Sequence, residues 1–129
     1  DGTYQLQIIA SDSVQLPANY GLATVRTSES FVIDNTGPAA MEIKKEKHGA
    51  RVAVVFRICD ALTPILRAEY SINGLGWQPI FPEDSICDSK CEKFLITLPE
   101  HFKEGELTIR ALDQYENYSV EHHHIANTP

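Results

Sequence analysis

Three cysteines are the residues of this chain best suited to covalent or metal chemistry. Cys87 and Cys91 are separated by three residues, and a turn of that length can bring two Cα atoms within disulfide distance. The same pair could bind a metal or act in redox chemistry, but two cysteines do not supply the four ligands of a structural zinc site. For an exported protein we therefore predict a Cys87–Cys91 disulfide, with Cys59 reduced and buried at a strand end.

A group of acidic and amide side chains at predicted strand ends could bind calcium. Hard oxygen ligands at such junctions are how calcium stiffens some tandem extracellular domains. The same residue types favour turns because they hydrogen-bond their own backbone, and turn formation is the favoured interpretation. No other cofactor is predicted. The candidate calcium ligands are Asp34, Asn35, Asp60, Asp113 and Asn117.

Three consecutive histidines near the end of the chain also have metal-binding chemistry. On a strand, successive side chains point to opposite faces, so at most His122 and His124 share one face. Two ligands are too few for a metal site, and a third would have to come from a carboxylate, from His48 or from His101. A solvated strand face is therefore the favoured interpretation.

The sequence carries no recognisable catalytic motif. Carboxylates and histidines on predicted strands form no dyad, and there is neither a phosphate-binding glycine loop nor a nucleophile elbow. We predict that the chain is not an enzyme. Adhesion to carbohydrate or protein through loops is the alternative function, and Tyr20 is the single aromatic residue in the predicted loop Ser13 to Thr24.

The charge balance argues against nucleic acid or an anionic membrane as the main partner. The formal net charge is −7, the isoelectric point is near 5.1, and no basic cluster is larger than the mixed stretch Lys44 to Lys47. The longest uncharged apolar runs, such as Val52 to Phe56, have the length of a strand, so no membrane insertion is predicted.

Alternation of apolar and polar residues predicts an all-β fold. No window sustains the spacing of an amphipathic helix, so the strand pattern is favoured throughout. A complete small sandwich needs about seven strands. We predict them near Met41 to Lys47, Arg51 to Cys59, Arg67 to Ile72, Trp77 to Phe81, Lys93 to Leu98, Glu106 to Leu112 and Tyr118 to Ile125.

A hairpin is predicted at Asn73-Gly74, because both residues tolerate the positive φ of a tight turn. Trp77 then begins the returning strand, where its ring would bury more area than any other side chain. The predicted core consists of Val54, Phe56, Tyr70, Trp77, Phe94, Ile96, Leu107 and Ile109.

An internal repeat divides the chain. A strand and its terminating aspartate occur twice in the same phase, and Asn35-Thr36-Gly37-Pro38 resembles Asn127-Thr128-Pro129. Residues 1–37 are thus predicted to hold the last two strands of one sandwich, near Thr3 to Ser11 and Val25 to Ile33, and residues 38–129 a complete second sandwich. The matched strand positions are Leu6, Ile8, Ala10 and Asp12 with Leu107, Ile109, Ala111 and Asp113.

Short motifs in both parts of the chain carry a family resemblance. The motifs of the first part are Asp1-Gly2-Thr3-Tyr4, Ala10-Ser11-Asp12, Pro17-Ala18-Asn19, Ser30-Phe31-Val32 and Asp34-Asn35-Thr36-Gly37-Pro38. Those of the second part include Asp60-Ala61-Leu62, Ala68-Glu69-Tyr70-Ser71, Trp77 and Phe81-Pro82-Glu83-Asp84. Together they resemble a family of large secreted bacterial propeller-type proteins, which append a fibronectin type III-like and then an immunoglobulin-like domain. The sequence departs from the family at Cys87, Cys91 and the histidine run.

The resemblance implies an antiparallel immunoglobulin or fibronectin type III sandwich in an extracellular, cell-surface or periplasmic location. It also implies a structural spacer whose partners are neighbouring sandwich domains or an upstream propeller. Strands that complete residues 1–37 would then lie upstream. Because the edges of a lone hairpin pair readily, we expect this segment to self-associate in the isolated chain.

Overall fold

The computed structural model describes residues 1–12, 17 and 20–127 and contains eleven β-strands. All described regular structure is β, as predicted, and the described part of the chain has no helix long and apolar enough to cross a membrane. The chain divides into two compact units between Ile33 and Asp34, rather than after Gly37. The parts of the predicted motifs at residues 18, 19, 128 and 129 lie outside the described residues.

The first unit consists of two short antiparallel ladders. Strand β1 (Gly2–Tyr4) pairs with β4 (Phe31–Ile33), and β2 (Gln7–Ser11) pairs with β3 (Ala23–Thr27). Both predicted strands are therefore divided in two. Two residues separate β1 from β2 but three separate β3 from β4, and this unequal spacing interrupts the ladder like a bulge. Leu6 and Ser28 bridge the gap, since the Ser28 amide donates to the Leu6 carbonyl at 2.8 Å.

Apolar side chains of these four strands remain open to solvent. A two-stranded ribbon has no second layer of its own to cover either face, so it buries little apolar area. We call strands β1 to β4 with Leu6 the first-unit ribbon. Its exposed apolar residues, each 41–63% accessible, are Tyr4, Leu6, Ile8, Ile9, Val25, Phe31 and Ile33.

The second unit contains one strand for each of the seven predicted. They form two antiparallel sheets, of strand order β5-β6-β9 and β11-β10-β7-β8. Antiparallel neighbours that are distant in sequence, such as β6 with β9 and β7 with β10, tie the unit together. The strands are β5 (Ala39–His48), β6 (Arg51–Cys59), β7 (Ile65–Ile72), β8 (Gln78–Ile80), β9 (Cys91–Thr97), β10 (Glu104–Asp113) and β11 (Tyr118–Ala126).

Both sheets contribute to a single buried apolar cluster. Phe56 and Phe94 are cross-strand partners whose rings stack with centroids 5.7 Å apart. Tyr70 is only partly buried and packs against the cluster. Alternate residues of β6, β9 and β10 supply most of the other members, as the predicted alternation requires. The cluster comprises Val54, Phe56, Ile58, Ile65, Ala68, Phe94, Ile96, Leu98, Leu107, Ile109, Ala111 and Ile125.

The turn at Asn73-Gly74 is confirmed, but the prediction for Trp77 is wrong. Asn73 and Gly74 have φ of 52° and 70°, and the Leu75 amide donates to the Ile72 carbonyl at 3.1 Å, as in a type I′ turn. The return strand β8 begins only at Gln78, so Trp77 precedes it and is 41% exposed. Its ring lies 4.3 Å from the Arg110 guanidinium carbon instead of in the core.

The disulfide prediction is also wrong. Cys59 ends β6 and Cys91 begins β9, and the two residues are cross-strand partners with Cα atoms 4.0 Å apart that form the disulfide. Cys87 is the free cysteine and packs against the core cluster. Burial raises the pKa of the Cys87 thiol, and the nearby carboxylates of Glu92, Asp84 and Asp88 raise it further. Cys87 is therefore a protonated thiol near neutral pH.

The core assignment predicts very different costs for two aromatic substitutions. Phe56→Ala removes a fully buried ring and should lower the free energy of unfolding by about 3–5 kcal/mol. Trp77→Ala removes a half-exposed ring and one cation–π contact, so it should cost about 1 kcal/mol. Urea denaturation followed by circular dichroism measures both. Equal costs for the two variants would place Trp77 back in the core.

The disulfide assignment predicts the products of peptide mapping without reduction. A linked peptide pair should contain Cys59 and Cys91, and alkylation of the denatured, unreduced chain should label Cys87 alone. Cys87→Ser is the matched control, because it should abolish labelling and leave the linked pair unchanged. A linked pair that contains Cys87 would contradict the assignment.

Candidate functional site

Three aspartates from separate parts of the second unit meet at one end of its strands. Asp34 is the first residue of the unit, Asp60 directly follows β6, and Asp113 ends β10. One carboxylate oxygen from each lies within 4.8 Å of the others. Asp34 and Asp113 are buried, with 7% and 0% of their surface exposed, and Asp60 is half-buried. The structure therefore brings together three of the predicted calcium ligands.

Asp60 organises the turn between β6 and β7. Its Oδ1 accepts hydrogen bonds from the backbone amides of Leu62 and Thr63, both at 2.8 Å. The Thr63 hydroxyl donates in turn to Asp34 Oδ2 at 2.8 Å. This is the turn chemistry that the sequence favours for such aspartates, and it also links two carboxylates of the cluster through one hydroxyl.

Asp113 and Asn117 close the tip of the β10–β11 hairpin. Asp113 Oδ1 accepts from the backbone amides of Tyr115 and Asn117, at 2.8 and 2.9 Å. The Asn117 side-chain amide donates to Asp113 Oδ2 at 3.0 Å and to the Asp34 carbonyl at 2.9 Å. Asn117 thus belongs to the cluster, whereas the other amide candidate, Asn35, is exposed.

The segment from Asp34 to Pro38 is built into the second unit. Asp34 Oδ1 accepts from the Thr36 amide at 3.1 Å, and the Ser119 hydroxyl donates to the Pro38 carbonyl. Gly37 lies so close to β11 that a Cβ placed there would sit 2.6 Å from the Tyr118 carbonyl oxygen. These contacts explain why the unit begins at Asp34 and not at Pro38.

The cluster combines two capacities. Its carboxylates accept hydrogen bonds from amide and hydroxyl donors, which holds three chain segments together. Carboxylate and amide oxygens are also the ligands that calcium takes, in sets of six to eight oxygens of which some are commonly waters. Asp34, Asp60 and Asp113 would provide the charge in such a site, whereas the Asn117 side chain directs its Nδ2 donor at the Asp34 carbonyl and Asp113.

The histidine run is placed as alternation predicts. His122 and His124 are exposed and His123 is half-buried. His122 Nδ1 lies 3.2 Å from both Thr108 Oγ1 and Glu106 Oε1, and His123 Nε2 lies 3.3 Å from Glu121 Oε2. Across residues 1–12, 17 and 20–127, these histidines join no group of three metal-ligating side chains.

Tyr20 belongs to the first unit and is 74% exposed. Its backbone amide donates to the Pro17 carbonyl at 3.2 Å. Six residues of the loop that was expected to surround it, 13–16, 18 and 19, lie outside the described part of the chain. Contact between Tyr20 and a ligand therefore stays a prediction.

Sequence reasoning missed a polar group on the outer face of the β11-β10-β7-β8 sheet. The Arg110 guanidinium pairs with Glu69 at 2.9 and 2.5 Å, and the Trp77 ring lies against it. Arg110 and Glu69 are cross-strand partners on β10 and β7. Their proximity depends on the register of two strands that are far apart in sequence, and no local pattern reveals it.

Comparisons with known proteins do not place the chain in a family. No protein-family model matches the sequence, and no curated protein matches it either. Among solved structures, this chain is similar to a protein chain in the crystal structure of the sulfane dehydrogenase SoxCD from Paracoccus pantotrophus, with a TM-score of 0.44 and 15% sequence identity. The match covers 89% of this chain but only 23% of that one, and so distant a likeness carries no argument about function.

Proposed function

We propose that this chain is a non-enzymatic structural spacer from a tandem array of immunoglobulin or fibronectin type III sandwiches in an exported bacterial protein. Support for a sandwich comes from the two antiparallel sheets of the second unit and their shared core. Export and a bacterial source rest on the resemblance of motifs such as Asp34-Asn35-Thr36-Gly37-Pro38. Neighbouring sandwich domains or a propeller of the same protein are the proposed partners.

The observation that carries this proposal is the exposure of the first-unit ribbon. Its apolar side chains remain largely accessible on strands that have only one partner each. Such strands are stable and soluble only when another sheet or strand covers them. In a tandem array, the adjoining module provides that cover. The hydrogen bonds of Asp34 and Thr36 also support a spacer, because they make the junction segment part of a folded unit.

The spacer proposal predicts that the isolated chain self-associates through the first-unit ribbon. Light scattering should detect a concentration-dependent increase in mass. Ile8 and Ile9 are adjacent on β2 and point to opposite faces, so Ile8→Lys and Ile9→Lys test the two faces separately. At least one of them should restore a monomer, because a charge on the covering face opposes burial.

Leu75→Lys is the control for this experiment. Leu75 is 87% exposed in the second unit, so the variant adds the same charge away from the ribbon and should leave the association unchanged. A wild-type chain that stays monomeric at high concentration would contradict the need for a covering neighbour. Association that survives both ribbon variants would place the contact elsewhere.

Calcium binding is the second candidate function. The ion would stiffen the start of the second unit at Asp34. The specific observation in its favour is the approach of the Asp34, Asp60 and Asp113 carboxylates to within 4.8 Å. Three negative groups at this distance repel one another, and a divalent cation would reverse that repulsion. The surrounding oxygen atoms match the preference of calcium for hard ligands.

The calcium proposal predicts a cation-dependent rise in melting temperature. Calcium at about one hundred times its dissociation constant stabilises a folded domain by about 2.7 kcal/mol, a shift on the order of 10 °C for a domain of this size. Asp60→Asn should abolish the shift. It removes a charged ligand yet retains the Oδ1 acceptor for the Leu62 and Thr63 amides, so the fold should persist.

Asp84→Asn is the matched control, because Asp84 Oδ1 accepts from the Ile86 amide in a turn outside the cluster. This variant should respond to calcium as the wild type does. Melting curves of the three proteins in calcium and in a chelator give the comparison. An unchanged wild-type melting temperature would contradict calcium binding. The cluster would then serve only to form turns, which is compatible with the spacer proposal.

A further inference from the structure

The outer face of the four-stranded sheet contains a shallow pocket of about 350 Å³. Two cross-strand rows of side chains line it. In the first row, Leu112 of β10 stands between its partners on β7 and β11, and in the second row Arg110 does so. The six side chains are Arg67, Leu112 and Tyr118 in the first row and Glu69, Arg110 and Val120 in the second.

The two arginines of the pocket differ in whether they already have a partner. Arg110 is held by Glu69 and lies against Trp77. Arg67 is exposed, and among the described residues its guanidinium has no hydrogen-bond or ion-pair partner. Two arginines and one glutamate leave the pocket with a net positive charge, on a chain whose formal net charge is −7. The pocket therefore favours an anion.

The apolar side of the pocket presents an aromatic ring. Tyr118 is 68% exposed, and Leu112 and Val120 lie beside it. An exposed aromatic ring next to aliphatic side chains provides a flat surface for a ring-shaped ligand. The pocket thus presents the Arg67 guanidinium on one side of Leu112 and the Tyr118 ring on the other.

The backbone at the centre of the pocket floor is not available for recognition. Strand β10 pairs with β11 on one side and β7 on the other, so its amide and carbonyl groups are used in the two ladders. A peptide that binds by adding a strand needs free backbone groups at a sheet edge. A ligand over β10 must therefore be recognised by side chains, which favours a charged ring over an extended peptide.

We propose that this pocket binds a carboxylated sugar, such as a uronate residue of an acidic polysaccharide. The Arg67 guanidinium donates two parallel hydrogen bonds to the sugar carboxylate, and the Tyr118 ring packs against the C–H face of the sugar. Glu69 and Trp77 hold the Arg110 side chain in place beside the ligand. Neither of them contacts the sugar carboxylate. This binding activity goes beyond the spacer role and is independent of it.

Titration of the full chain with galacturonate oligomers tests the proposal. Trp77 is the single tryptophan and lies on Arg110, so its fluorescence reports on the pocket, and isothermal calorimetry provides a second readout. Arg67→Gln should weaken binding about tenfold by removing the ion pair, and Tyr118→Ala should weaken it to a similar degree. Arg57→Gln is the matched control, because Arg57 is exposed on the other sheet.

Neutral galactose oligomers of the same length should bind at least tenfold more weakly than the galacturonates. Equal binding of the two sugars would overturn the proposal. So would equal losses in the Arg67 and Arg57 variants, which would indicate general attraction to the chain, or no saturable signal by either method. Tighter, Arg67-dependent binding of a short peptide through its C-terminal carboxylate would overturn the assignment to a sugar.

Discussion

The register between β6 and β9 determines much of the second unit. It places Phe56 opposite Phe94 in the core and Cys59 opposite Cys91 at the end of the same ladder. A shift of either strand by one residue would turn its phenylalanine out of the core, because strand side chains alternate between faces. The disulfide resists such a shift, and by closing a loop over 32 positions it removes about 3–4 kcal/mol of chain entropy from the unfolded state. Packing and covalent linkage therefore enforce the same register.

The aspartate cluster extends this order beyond the strands. Loops carry backbone amides that no ladder satisfies, and Asp60 and Asp113 accept four of them. Asp34 connects the two loops to the start of the unit through Thr63 and Asn117. The same geometry explains why the proposed structural and calcium-binding functions would share these residues. Carboxylates that are close enough to share hydrogen-bond donors are also close enough to share a cation.

The sequence predicts the seven strands of the second unit well, and the signal is strongest where a strand has a buried face, which imposes a period of two on residues such as Val54, Phe56 and Ile58. It also predicts the turn at Asn73-Gly74, where backbone conformation selects the residue types.

The errors concern contacts between distant segments. Cys91 pairs with Cys59 because of strand register, although Cys87 is much nearer in sequence. Trp77 is large and apolar, but it lies just before β8 and its ring packs on Arg110 at the outer face. Strand-end aspartates could be recognised as turn formers, whereas their meeting in space required the topology.

Strand β10 connects the core to the outer face. Its inward side chains, Leu107, Ile109 and Ala111, belong to the buried cluster, and the alternating Arg110 and Leu112 form the middle of the pocket floor. Because β10 is paired on both sides and packed from below, the outward side chains start from backbone positions that cannot move independently. Binding sites on such rigid elements lose little conformational freedom when a ligand arrives. The outer face of this sheet therefore already meets the main requirement of a recognition surface, and the outward residue types would then determine which ligand it accepts.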